Sequence, residues 1–403
     1  MTNDYRPNLK IALVHDDLTQ LGGGERVFLA IKDLFPKAAI YTSMASSEWV
    51  ERLGGRRPHT SFMQKLPLKK KLERAYFPLY PLAFESFNFS DYDLVISSSS
   101  RFAHGIITRP ETTHICYMHS PGRQFWEAHQ YFDHPARKGS RLGSLLSPML
   151  SYLRLWDRAA AQRVDYFIAN SKNTARRIRK YYGRAAEVVY PFVDLERFAL
   201  RSADSEQLIA NGKGKKAETT NYFLVVTRLV PWKRVDIAVK AINCLNTRMR
   251  GDSNGSNIRL IIVGDGPDRK RLEARSMNHE SRGVGEVEFL GRVSDEELVE
   301  LYRNCQALIM TQQEDFGITP LEAQAAGRPV IAYGAGGALE TVLPGKTGEF
   351  FDEQTPEALA GVLRNFNPDD FDPADCRKQA RRFSREAFEK NFMAQVERLV
   401  GNH

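Results

Sequence analysis

Cysteine is scarce: Cys116, Cys244, Cys305 and Cys376 are scattered through 403 residues with no C-x-x-C pair among them. Neither a zinc knuckle nor a disulfide framework is indicated. Long apolar runs are also missing, since stretches such as Tyr222 to Thr227 fall far short of the ~20 residues that a membrane-crossing helix requires. The opening residues, MTNDYRPNLKIALV, show no basic n-region, no adequate apolar h-region and no small-residue cleavage site, so no export signal is visible. Gly (28) and Pro (19) sit near average usage and no repeat or low-complexity tract occurs, which removes collagen-like, solenoid and disordered classes. What remains, 42% hydrophobic, 26% charged and 10% aromatic, is the balance of a globular chain long enough for two domains. A cytoplasmic protein is expected.

Acidic residues are few in two parts of the first half, which are strongly basic, and the second half compensates to leave a net charge of +8. From Glu51 to Tyr80 eight Lys/Arg face only Glu51 and Glu73, and from His134 to Arg184 twelve face only Asp157 and Asp165. In the first of these, Arg56, Arg57, Lys65, Lys69, Lys70, Lys71 and Arg74 alternate with Phe62, Met63, Leu66, Leu68, Leu72, Tyr76, Phe77 and Leu79. That mixture suits an anionic membrane surface, and it equally suits a solvated helical face. Nucleic acid fits less well, because no helix-turn-helix, RRM, KH or zinc-finger signature accompanies the charge.

Apolar, β-branched runs alternate with helical patterns from end to end, the sign of parallel sheets built from βαβ units. The first half offers strands at Lys10 to Val14, Asp93 to Ser97, Thr113 to Tyr117, Tyr166 to Ala169 and Val188 to Tyr190. The second offers Tyr222 to Thr227, Arg259 to Val263, Val287 to Leu290, Ala307 to Thr311 and Pro329 to Ala332. Between them the polar, Gly-rich N-G-K-G-K-K stretch reads as a linker. The expected α/β organisation is two Rossmann-like, doubly wound domains at 1–203 and 221–375, a linker at 204–220 and a C-terminal helix within 376–403. Asp375 to Val400 reads as one continuous helical pattern.

Several motifs fail on spacing. Gly22-Gly23-Gly24 follows the first strand and opens a helix, a place where backbone N–H groups can meet a phosphate, or a plain connector. It is not G-x-G-x-x-G, because Val27 stands where Gly is needed. Gly345-Lys346-Thr347 is no P-loop, because Glu340 occupies the position of its first Gly. The triplets Asp91-Tyr92-Asp93 and Asp370-Phe371-Asp372 lie at a strand start and in a Pro/Asp-rich loop, so no metal site is expected from either.

The second half carries more. Arg228-Leu-Val-Pro-Trp-Lys233-Arg follows its first strand, and cations at a strand's carboxyl end are placed for phosphates. Gly264-Asp265-Gly266-Pro267 and Gly291-Arg292-Val293-Ser294 end the next two strands; each also reads as a turn with a helix cap. In T-Q-Q-E-D-F-G-I-T-P-L-E-A-Q-A-A-G-R-P, Thr319 suits an N-cap and Pro320 the first helical position. A capping box with Thr319 would explain Glu322 but not Glu314 on the preceding loop. Two carboxylates so spaced can accept from several sugar hydroxyls, with the amides of Phe316, Gly317 and Ile318 facing an anion. His119 ends a first-half strand; a lone His is by default structural, but this position favours a site residue.

In order along the chain, these segments resemble one family. E-D-F-G-I-T-P-L-E is similar to the E-x7-E motif of retaining GT-B glycosyltransferases, family 4, and T-R-L-V-P-W-K-R-V-D resembles their diphosphate segment. V-G-D-G-P and F-L-G-R-V resemble the nucleoside turns, Ala169-Asn170-Ser171 with Val193-Asp194 the interdomain signature, and C-Y-M-H-S-P-G-R the histidine segment of bacterial mannosyltransferase-type members. Asp315, where the family usually carries Pro or a Gly-like residue, and Trp232, where Glu is frequent, depart from the pattern.

The resemblance implies two domains facing across a cleft, the C-terminal helix returning toward the N-terminal domain, and a nucleotide-sugar donor as substrate with no metal or other cofactor. Arg228 and Lys233 would hold the diphosphate, Glu322 the ribose hydroxyls and Glu314 those of the donor sugar. Gly264, Asp265, Arg292 and Val293 would border the nucleoside. Gly22, Gly23 and Gly24 would admit phosphates or acceptor, and His119 would face the sugar. The implied activity is retaining hexosyl transfer, with GDP-mannose favoured over a UDP-sugar, onto a glycan or lipid-linked acceptor at the inner face of the cell membrane. A nucleotide-sugar epimerase and a non-catalytic lipid- or polysaccharide-binding protein are the competing readings; no nucleic-acid partner is expected.

Overall fold

The computed structural model describes residues 9–67, 76–128, 142–199, 222–249, 258–276 and 287–401. The linker expected at 204–220 lies outside them. The described chain divides into two compact units: residues up to Pro191 with those from Arg385 onward, and Phe192–Ser384.

The first unit is built on a seven-stranded, wholly parallel sheet in the order β3-β2-β1-β4-β5-β6-β7. Its strands are β1 (Ile11–His15), β2 (Ala39–Thr42), β3 (His59–Thr60), β4 (Leu94–Ser99), β5 (Thr113–Met118), β6 (Tyr166–Ala169) and β7 (Ala186–Val188). Six parallel strands form the second sheet, ordered β10-β9-β8-β11-β12-β13. These are β8 (Tyr222–Val226), β9 (Arg259–Val263), β10 (Val287–Gly291), β11 (Leu308–Met310), β12 (Val330–Tyr333) and β13 (Gly348–Phe351).

Parallel strands covered by helices on both faces need apolar side chains on both, which is why central β4 is buried along its whole length. Its last three residues are Ser97, Ser98 and Ser99, whose hydroxyls all bond to histidines, so polar groups enter this core already paired. Helix Gly23–Leu34 turns Val27, Phe28, Ala30 and Ile31 inward. In the second unit Ile237, Val239, Ile242 and Leu245 of helix Val235–Met249 join Phe223, Val225 and Ile262 in one core.

Each sheet reverses its winding once, between β1 and β4 in the first unit and between β8 and β11 in the second. Loops that leave the carboxyl ends of such a strand pair diverge to opposite faces and leave a crevice, the usual ligand position in open α/β sheets.

Three strands were not expected from the sequence: β2, β3 and β13. The last pairing strand of the first sheet is Ala186–Val188 rather than Val188 to Tyr190, because Ala186, Glu187 and Val188 take the register opposite Phe167, Ile168 and Ala169. The C-terminal pattern is not one helix but two, Pro373–Arg381 and Arg385–Gly401. Phe383 breaks it: its carbonyl accepts from the Val193 N–H at 2.9 Å and its ring packs on Phe316, holding the chain in the second unit until Ser384. Beyond that, Phe388 and Phe392 pack on Tyr117 of the first unit.

Candidate functional site

In the second unit the segment after β8 is clamped by the turn after β9. Thr227 N–H donates to the Val263 carbonyl and Leu229 N–H to that of Asp265, each at 3.0 Å. Glycine is required here: a Cβ on Gly264 would stand 1.9 Å from the Thr227 carbonyl oxygen, and one on Gly266 2.1 Å from that of Leu229. Arg228 lies between the two anchored residues and is exposed. The Asp265 carboxylate closes on its own turn, accepting from Gly266 N–H at 2.8 Å. Arg292, on the turn after β10, is exposed and Val293 half-buried.

Five residues beyond Arg228, the Lys233 ammonium touches the Glu314 carboxylate. It also lies 4.2 Å from the centre of the Trp232 ring, so the tryptophan that departs from the family pattern carries the ammonium on its face. Thr311 Oγ1 donates to the Lys233 carbonyl at 2.9 Å. Gln354 Nε2 donates to the Thr311 carbonyl at 2.8 Å, while its Oε1 accepts from Arg234 Nη1 at 3.2 Å. These bonds tie the loops after β8 and β11 together at the winding reversal, which is how two segments about eighty residues apart present one cation and one carboxylate side by side.

The Glu314 loop rests on Gly336 and Gly337. Gly337 N–H donates to the Glu314 carbonyl at 2.9 Å, Gly336 has φ +65°, and a Cβ on Gly336 would lie 2.3 Å from the Glu314 carbonyl oxygen. Phe316 is buried against Phe383, and its backbone is closely approached by Gly337, where a Cβ would lie 2.2 Å from the Phe316 carbonyl oxygen. Gly317 takes φ +85°, a conformation that glycine adopts without strain, and Ile318 precedes helix Thr319–Ala325.

The capping-box alternative for Glu322 does not hold. Ile318, not Thr319, is the N-cap, Thr319 is the first helical residue and no side chain caps the helix; the Glu322 carboxylate instead accepts from the Tyr302 hydroxyl at 2.8 Å and faces Arg197 Nη1 at 3.7 Å.

In the first unit the reversal gathers histidines. His15 ends β1 opposite Ser98 of β4, and His15 Nδ1 lies 3.1 Å from Ser98 Oγ. The same hydroxyl is 2.8 Å from Nε2 of His119, just after β5. His15 also bonds the Glu25 carboxylate; burial works against ionisation of that group, but His15 and backbone N–H groups outweigh it and hold the acid below its usual range. Glu25 Oε2 accepts from Gly22 N–H at 2.9 Å, so the amide that opens the glycine turn is already capped. A Cβ on Gly24 would lie 3.7 Å from the His119 ring, an ordinary contact, so the turn and His119 are neighbours.

Beneath these, Asp16 accepts from the N–H groups of Ser100, Arg101, Phe102 and Ala103. Asp17 contacts Ser43 Oγ, Tyr80 OH and Arg101 Nη2, and burial raises its pKa above the usual value despite those partners.

The two acidic triplets have local roles: Asp93 Oδ2 accepts from Lys10 N–H, Asp372 Oδ1 caps helix Pro373–Arg381 through Ala374 N–H, and Asp370 Oδ1 accepts from Asn367. Of the basic-apolar segment, Leu68, Lys69, Lys70, Lys71, Leu72 and Arg74 lie outside the described residues. Arg56 spends its guanidinium on the Pro36 and Ala38 carbonyls, while Phe62 is exposed.

Comparison with known proteins meets this geometry from both ends of the chain. Residues 21–197 match the model of Glycosyltransferase Family 4 and residues 207–383 that of Glycosyl transferases group 1. The chain belongs to the GT-B glycosyltransferases of family 4. Among curated relatives of this glycosyltransferase family, the D-inositol 3-phosphate glycosyltransferase of Geodermatophilus obscurus is 32% identical over 50% of this chain and 45% of its own. The GDP-mannose-dependent alpha-(1-6)-phosphatidylinositol monomannoside mannosyltransferase of Mycobacterium tuberculosis is 32% identical over 53% of this chain and 56% of its own. The chain spans about half the length of these curated relatives.

The GT-B fold extends over nearly the whole chain. Anabaena HepE, solved with UDP-glucose, superposes with a TM-score of 0.65 at 18% identity over 97% of this chain and 100% of its own. Sucrose-phosphate synthase of Thermosynechococcus elongatus gives 0.69 at 18% identity, covering 98% and 100%.

Tyr302, Arg197, Thr311, Gln354 and the glycines after β12 join the site only in the folded chain. Gly334-Ala-Gly336-Gly337 was the available signal, since a glycine cluster directly after a parallel strand marks close backbone approach.

Proposed function

We propose that the chain is a retaining hexosyltransferase that moves a sugar from a nucleotide-sugar, GDP-mannose in the favoured case, to a glycan or lipid-linked saccharide without a metal. The observation that carries this reading is the grouping of Arg228, Lys233 and Glu314 at the carboxyl ends of β8 and β11, where the second sheet reverses. Arg228 and Lys233 take the donor diphosphate and offset the negative charge that grows on it as the glycosidic bond breaks. Glu314 accepts from hydroxyls of the sugar and Glu322 from those of the ribose. The turns at Gly264-Asp265 and Arg292-Val293 border the base. His119 and the Gly22-Gly23-Gly24 turn, beside the winding reversal of the first unit's sheet, are assigned to sugar and acceptor on the family resemblance alone. Retention follows from attack on the face that the phosphate leaves, so no enzyme nucleophile is assigned.

The mycobacterial relative uses GDP-mannose by its name, which supports a mannosyl donor, and the UDP-glucose bound to HepE supports a second reading with a UDP-sugar. The acceptor side is read as a surface glycan under assembly on a lipid carrier, with the protein held peripherally at the inner membrane face by its basic segment. A thermal-shift screen with GDP-mannose, UDP-glucose, UDP-galactose and UDP-GlcNAc separates the donors. Stabilisation by GDP-mannose alone supports the first reading; saturable stabilisation by a UDP-sugar with none from GDP-mannose replaces it by the second.

A further inference from the structure

Glu322 does not stand alone. Tyr302, on helix Asp295–Asn304, is wholly buried and donates its hydroxyl to Glu322 Oε2 at 2.8 Å. Burial, with the Glu322 carboxylate beside it, raises the Tyr302 phenol well above its ordinary range, so it remains a hydrogen-bond donor throughout. The other oxygen, Oε1, faces Arg197 Nη1 at 3.7 Å, a charge contact too long for a hydrogen bond, which leaves its lone pairs for an incoming hydroxyl.

Arg197 is itself fixed. Its Nη2 donates to Asp295 Oδ1 at 2.8 Å, and its guanidinium lies 5.7 Å from the centre of the Phe198 ring. Phe198 packs edge-on against Tyr302, and the Phe198 carbonyl accepts from Arg303 Nη2 at 2.7 Å. The short helix Glu196–Ala199 is thereby bound to helix Asp295–Asn304, and both bear on one carboxylate.

We propose that Tyr302 and Arg197 are positioning residues that lock the Glu322 carboxylate in one orientation, aimed at the vicinal hydroxyls of a nucleotide ribose. The inference rests on the reading of Glu322 given under Proposed function. A carboxylate with one oxygen held by a phenol keeps a single orientation, and it rewards a ligand that brings hydroxyl donors. Ribonucleotides are selected over deoxyribonucleotides by this means, whatever the base.

The test is calorimetric titration of the full chain with GDP and 2′-deoxy-GDP, and with UDP and 2′-deoxy-UDP. The unsubstituted protein binds the ribonucleotide of one pair about tenfold or more tighter than its deoxy partner, the scale of one charged hydrogen bond. Tyr302→Phe reduces that ratio to about threefold or less by weakening the ribonucleotide while leaving the deoxy form unchanged, a pattern that general loss of structure does not produce. Arg197→Gln moves the ratio the same way, and it decides the matter if Tyr302→Phe fails to fold. If Glu322→Ala abolishes the discrimination while Tyr302→Phe and Arg197→Gln both keep it, the positioning inference is overturned and the Glu322 reading stands. If no nucleotide binds, or ribose and deoxyribose forms bind alike, both are overturned.

Discussion

The ammonium of Lys233 and the carboxylate of Glu314 are in direct contact, and Gln312 Nε2 reaches the same carboxylate oxygen at 3.2 Å. The group assigned to the diphosphate is therefore paired with the group assigned to the sugar. Both are mostly screened from solvent, 14% and 18% exposed as side chains, so the pair holds its geometry better than a surface ion pair does.

Neutralising the carboxylate separates the two roles. Glu314→Gln lowers turnover by about 10²-fold or more, the usual cost of a contact made in the transition state. Its affinity for free nucleoside diphosphate holds or rises, because Lys233 no longer has a competing anion. Initial rates and a nucleotide titration on the same preparation check both; near-normal turnover in a folded variant removes Glu314 from the site.

Gly336→Ala acts on the same loop through the backbone. A left-handed φ of +65° and a Cβ at 2.3 Å from the Glu314 carbonyl oxygen require the loop to move. Stability falls by about 1–3 kcal/mol and donor affinity falls with it. Urea unfolding and donor titration measure the two, and wild-type values for both contradict the close approach.

How much of this was legible in the sequence depended on how each feature is encoded. Ten strands showed as apolar runs because parallel strands bury both faces. β3 is only His59–Thr60 and β13 begins at Gly348 and includes Glu349, so neither carries such a run, while β2 is a four-residue run directly behind a helix ended by Pro36. Arg228, Lys233, Glu314 and Glu322 were legible as charges in loops after strands. Tyr302 and Arg197 were not: Tyr302 sits in a helix where a buried aromatic is ordinary, and Arg197 lies 125 residues before Glu322 (322 − 197). The His15–Ser98–His119 chain was hidden for the same reason, since strand pairing across 83 residues creates it. Phe383 interrupts the C-terminal helical pattern through contacts with Val193 and Phe316, which local periodicity does not register.

Another buried histidine gives a pH signature unrelated to the donor. His114, bonded to Ser97, is pushed down to about 3 by burial and, secondarily, by His104 and Arg163. His104 in turn faces Asp157 at 3.2 Å. The unfolded chain takes up a proton on His114 near pH 6.5 and the folded chain does not, so this contribution is fully present above that pH and is lost as pH falls toward about 3. The slope is at most ~1.4 kcal/mol per pH unit. Urea midpoints at pH 7, 6 and 5 fall less steeply in His114→Gln; an unchanged slope assigns the acid sensitivity elsewhere.

The basic segment makes a prediction from sequence. Each Lys or Arg near an anionic surface contributes about 1 kcal/mol, so vesicles containing anionic lipid co-sediment the protein, and salt weakens the association. Replacing Lys69, Lys70 and Lys71 with Glu releases it without altering donor affinity. Unchanged co-sedimentation of that variant returns the segment to a solvated face.

Donor titration into the unsubstituted protein and into Arg228→Ala, each with and without EDTA, bears most directly on the assignment of the second unit. Saturable binding of one nucleotide-sugar is expected, indifferent to EDTA and weakened about tenfold or more in Arg228→Ala. Equal affinity in the variant, dependence on Mg2+, or no binding of any nucleotide-sugar contradicts it.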